Sequence, residues 1–98
     1  MMDVSPRLLP WSSLDGKPCY LVGEGGGFLS RMADEMEEAQ LFLAGGLIED
    51  AQRVFAARSW TAGELHLLAV ELAESLVEVR RVAKSRGARL LAVSGAGA

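Results

Sequence analysis

Residues 61–86, TAGELHLLAVELAESLVEVRRVAKSR, decide how the rest of the chain is read. Thr61 stands three positions before Glu64, the spacing of a capping box in which a hydroxyl and a carboxylate satisfy orphan donors of a helix's first turn. Leu65, Leu68, Leu72, Leu76, Val79 and Ala83 then recur at gaps of three or four, and Glu71, Glu74, Glu78 and Arg81 fall on the opposite side. At about 100° per residue, Ala69, Val70, Ala73, Val77 and Val82 join the apolar side, leaving a polar arc of roughly one third of the circumference. One packing neighbour covers less surface than that. The pattern predicts a helix wedged between two others, the second supplied by another copy of the same chain, with Leu65, Leu68, Val70, Leu72, Leu76, Val77 and Val79 as interface residues, the alternative being a wide helix lying across the rest of its own monomer.

Arg80, Arg81, Lys84 and Arg86 crowd the predicted end of this helix, where cations face the negative end of its dipole, and Gly87 offers a left-handed C-cap. Five basic residues between Arg80 and Arg89 also form a candidate phosphate-contacting patch. No aromatic interleaving, recognition helix or basic arm accompanies them, and the chain carries a net charge of -3. A solvated helix terminus accounts for them better, which leaves nucleic-acid binding as a third-ranked function.

Residues 1–22 differ in composition from the rest of the chain: all three prolines, Trp11 and the one tyrosine, Tyr20, lie here. Leu8 to Leu14 and Lys17 to Val22 flank Asp15-Gly16, a pair suited to the positive backbone angles of a hairpin turn. Pro10 and Pro18 cannot donate to a ladder and belong at edges or strand ends. An isolated hairpin is marginal in water, so Trp11, Tyr20 and Val22 are expected to anchor it on the helices.

Gly23-Glu24-Gly25-Gly26-Gly27 joins the hairpin to the next helix, a position where backbone amides could approach an anion. Phe28 stands where a dinucleotide fingerprint needs its third glycine, no Lys-Ser/Thr pair follows, and Glu24 would repel phosphate. A hinge is the simpler reading, and Gly25, Gly26, Gly27 and Arg31 form the ligand loop of the alternative, an anion- or small-molecule-binding domain.

Residues 28–58 place Phe28, Met32, Met36, Ala39 and Leu43 on one face and Arg31, Asp34, Glu35 and Glu38 on the other. Met32 and Met36 fit a core or dimer seam, and the acids Asp34, Glu35, Glu37 and Glu38 a solvated first turn. Gly45-Gly46 interrupts, yet Leu47, Ala51 and Val54 keep the phase. This predicts one long helix with a kink or close helix contact at the glycines, or a break there, and a turn at Ser59-Trp60.

The expected fold is therefore mainly α with a β element: a short N-terminal hairpin and two long antiparallel helices in a single domain, with dimerisation completing a bundle-like core. Residues 94–98, only Ser, Gly and Ala, are expected to form a flexible tail. The 98 residues allow one modest core. No apolar run could span a bilayer and no signal peptide is evident, so a cytoplasmic, non-membrane protein is expected. The single Cys19 excludes an internal disulfide, and eight arginines against two lysines suit a GC-rich bacterium. One histidine, His66, and one cysteine cannot assemble a zinc site within a monomer, and a Cys19–His66 nucleophile pair has no supporting motif. The residues thus lean away from an enzyme and imply no cofactor or metal. They point to a small interaction or regulatory protein that pairs with itself and with another protein.

Overall fold

The computed structural model describes residues 6–23 and 27–96. An antiparallel hairpin of β1 (Arg7–Ser12) and β2 (Pro18–Leu21) precedes two long helices, α1 (Phe28–Ala57) and α2 (Ala62–Ala96). The helices span 30 and 35 residues and give the protein an elongated outline of 61 × 31 × 19 Å. The described part thus has the expected mainly α, hairpin-plus-helices architecture.

The hairpin turn rests on Ser13. Its carbonyl accepts from the Gly16 N–H, its N–H donates to the Lys17 carbonyl at 2.9 Å, and its hydroxyl accepts from the Lys17 N–H at 3.1 Å. Gly16 alone of the Asp15-Gly16 pair has positive φ, 81°, while Asp15 accepts from the Ser13 hydroxyl. The ladder pairs Arg7 with Leu21, Leu8 with Tyr20 and Ser12 with Pro18, with an irregularity between Leu8 and Ser12 that accommodates Pro10.

The hairpin's anchors differ from the expected aromatics. Leu9 and Pro10 are buried, Trp11 is half-buried, and Tyr20 and Val22 are largely exposed. The reason lies in the backbone of β1. A two-stranded ribbon leaves one edge of β1 without a strand partner, and helix side chains satisfy it: the Ser85 hydroxyl donates to the Leu8 carbonyl at 2.8 Å and the Gln40 amide to the Pro10 carbonyl at 2.9 Å. β1 goes inward, and the aromatic of β2 faces out.

α1 is continuous through Gly45-Gly46. The close helix contact expected at these glycines is absent, since a Cβ built on either would meet nothing within 4 Å. The helix ends on Arg58 in the left-handed region, φ 56°, and 58–61 make the connection. Thr61 then caps α2: its hydroxyl accepts from the Glu64 N–H and donates to the Glu64 carboxylate, both at 3.1 Å.

α2 does not stop at Gly87. It continues to Ala96, so Gly87 lies in the helix interior and the expected tail begins inside the helix, with residues 97–98 outside the described part. No proline follows Gly87. Arg86 and Arg89, on either side of it, are tied to α1, which holds the backbone helical across the glycine at a cost of about 1 kcal/mol.

Candidate interaction surface

The inward face of α1 is unusually polar. Ser30, Ala33, Glu37 and Gln40, spaced at helical gaps, are all buried, with Ala51 further along. Glu37 is 1% exposed and takes ion pairs from Arg7 at 3.5 Å, Arg86 at 3.3 Å and Arg89 at 3.1 Å. Arg7 extends to Asp34 at 2.7 Å and donates to the Ser30 hydroxyl and carbonyl, while Arg86 reaches Glu38 at 3.0 Å. Three arginines thus balance three carboxylates where β1, α1 and α2 meet. Hydrogen bonds to Glu38 and then Glu37 push the Arg86 guanidinium pKa above its ordinary value. Gln40 donates to both Pro10 and Glu78, which fixes its amide orientation, and Arg89 donates to Ser85. Arg7 Nε and Gln40 Oε1 are buried without a protein partner.

This clamp corrects two expectations. Glu37 does not belong to a solvated first turn, and Arg86 and Arg89 are not solvated helix-end cations but hold α2 onto α1. Apolar periodicity missed it because such a reading treats every polar residue as an outward one. The available signal was the sequence of short and polar side chains at positions 30, 33, 37 and 40, itself at helical spacing.

Because that face turns inward, the apolar stripe beside it turns outward. Phe28 and Leu43 are each 67% exposed, Met32 39% and Met36 38%. The wide apolar surface of α2 divides in two. Leu68 is buried and Leu65, Leu72 and Val79 are half-buried within the protomer, whereas Val70, Leu76 and Val77 remain exposed. Few large apolar side chains are fully enclosed, Leu9, Leu68 and Val82 among them.

Of the glycine loop, Gly25 and Gly26 lie outside the described residues. Gly27 is the N-cap of α1 in extended conformation without a side-chain cap, and its carbonyl accepts from the Arg31 N–H at 3.0 Å. Among the described residues, no group of three or more His, Cys, Asp or Glu is placed to hold a metal ion, no hydrogen bond joins Cys19 to His66, and no helix is long and apolar enough to cross a membrane. A groove of about 330 Å³ runs between the hairpin and α2, past Leu8, Pro18, Tyr20, Val77, Arg80 and Lys84. Comparison with protein-family models, curated proteins and solved structures yielded no match.

Proposed function

We propose that this chain is a small non-catalytic interaction or regulatory protein that acts through apolar helix faces as a homodimer, and that the exposed stripe of α1 is the surface on which it associates. The observation that supports this is the orientation of α1. Its polar side is committed to the Glu37 clamp, and Phe28, Met32, Met36 and Leu43 are left together on an accessible face. Monomeric proteins rarely leave contiguous apolar patches uncovered. A chain with so few enclosed large apolar residues also gains most from a partner that covers more.

The methionines suit this role, because unbranched thioether side chains adapt to a facing surface. Two-fold pairing would present each α1 stripe to its own counterpart, the self-complementary arrangement of most homodimers. The exposed Val70 and Leu76 of α2 then remain for a second protein. A lone half-buried thiol suits a reducing compartment, in keeping with a cytoplasmic site of action.

Native mass spectrometry and sedimentation equilibrium across a wide concentration range test the reading. The expected result is a dimer that becomes monomeric in Met32→Lys/Met36→Lys while the far-ultraviolet helix signal is kept. A wild-type protein that stays monomeric at every concentration, with its helices intact, overturns the homodimer.

A further inference from the structure

Arg80, Arg81 and Lys84 take no part in the ion pairs that tie the described elements together. α2 runs on to Ala96, so they stand well before the last turn, beyond the reach of the helix dipole. The other described cations nearby have partners: Arg86 and Arg89 on Glu37, Arg7 on Asp34, Lys17 on Asp15. Arg80, Arg81 and Lys84 make no ion pair among the described residues, although Arg80 and Lys84, one turn apart, repel each other. An acidic chain that concentrates unpaired positive charge here, against its net charge of -3, leaves that charge available to an outside anion.

All three side chains line the groove between the hairpin and α2, whose remaining wall includes Leu8, Pro18, Tyr20 and Val77. The lining combines three cations of α2 with apolar side chains from both the hairpin and α2, and the volume of about 330 Å³ falls in the range that takes small organic ligands. We propose that this groove binds a small amphiphilic anion, its apolar body against Leu8, Pro18, Val77 and the Tyr20 ring, and its anionic head between Arg80, Arg81 and Lys84. A nucleic-acid backbone fits less well. It would leave the apolar wall unused and meet the repulsion of an acidic protein. The groove lies on the hairpin side of α2 and does not include the α1 stripe, so this proposal stands independently of the homodimer.

The test is an amide NMR titration of the full chain with octanoate below its micellar range. Octyl phosphate reports head-group preference, octyltrimethylammonium supplies the same tail with opposite charge, and inorganic phosphate supplies an anion without a tail. Expected are saturable shifts at Tyr20, Val77, Arg80 and Lys84 with octanoate or octyl phosphate, at least tenfold weaker response to both controls, and weakening as sodium chloride rises. Arg80→Gln/Lys84→Gln should lose at least tenfold in affinity with oligomeric state unchanged. The salt series on the wild-type chain keeps the test sound if that variant fails to fold. Equal response to octyltrimethylammonium, shifts centred on Met32 and Met36, or no shift because a second copy covers the groove would each overturn the proposal.

Discussion

Arg89 grips Glu37 with both prongs of its guanidinium, Nη2 3.1 Å from Oε1 and Nη1 3.4 Å from Oε2, around a carboxylate that is 1% exposed. A fork of this kind fixes orientation as well as distance, and here it joins two helices at residues 52 positions apart in the chain. Arg7 approaches the same carboxylate from the hairpin, so one acid aligns three elements.

Removing that acid leaves the arginines facing one another. Breaking a buried ion pair on one side costs roughly 3–5 kcal/mol. The lower end applies here, because Arg86 and Arg89 are 41% and 33% exposed and can turn toward water. Glu37→Leu should therefore lower stability by about 3 kcal/mol, read as a drop in the urea midpoint. Adding Arg86→Met and Arg89→Met to Glu37→Leu should recover much of the loss. A Glu37→Leu protein as stable as the wild type would show that the clamp contributes nothing.

Gly45 and Gly46 sit inside a continuous helix with open space where a side chain would project. Alanine there restricts the unfolded chain and meets no obstacle, so Gly45→Ala and Gly46→Ala should each raise stability by up to about 1 kcal/mol in a dilute urea melt. Destabilisation, or a dimer weakened by either change, would instead show that a second chain packs closely on these glycines.

The two long helices, the hairpin turn near Gly16 and the cap at Thr61 were legible because each rests on local chemistry that periodicity and turn residues report directly. The side of α1 that faces the core was not. Phe28, Met32, Met36 and Leu43 outweigh Ser30, Glu37 and Gln40 on any hydropathy scale, but the Pro10 carbonyl and the arginines Arg7, Arg86 and Arg89 engage the polar face and make it the inward one. Tertiary hydrogen-bond demand overrode hydrophobic pattern. For the same reason Arg86 and Arg89 resemble helix-end cations in the sequence although both bind Glu37, and the groove leaves no sequence pattern because its walls come from residues some sixty positions apart.

Asp15 carries an acid-side signature of the hairpin turn. The Ser13 hydroxyl bond, followed by smaller contributions from the local backbone and Lys17, holds its carboxyl below the ordinary value of 3.8. Because the folded value is the lower one, the contribution is present above the unfolded value and is lost as pH falls through the folded one. A carboxyl NMR titration should place the Asp15 midpoint below 3.8, and Ser13→Ala should move it back up. An unshifted midpoint in the wild type would mean that the Ser13–Asp15 bond is absent in solution.

Gly87 distinguishes two accounts of the C-terminal third by the sign of a single substitution. A glycine capping a helix in the left-handed region resists replacement, because a Cβ there is strained. A glycine inside a helix with no atom within 4 Å of its virtual Cβ gains from replacement, by up to about 1 kcal/mol. α2 passes through Gly87 to Ala96, so Gly87→Ala should raise the urea midpoint and should slow amide exchange from Ala88 to Ala92. A fall in stability would place the helix end at Arg86 and would free Arg89 from the register that brings it onto Glu37.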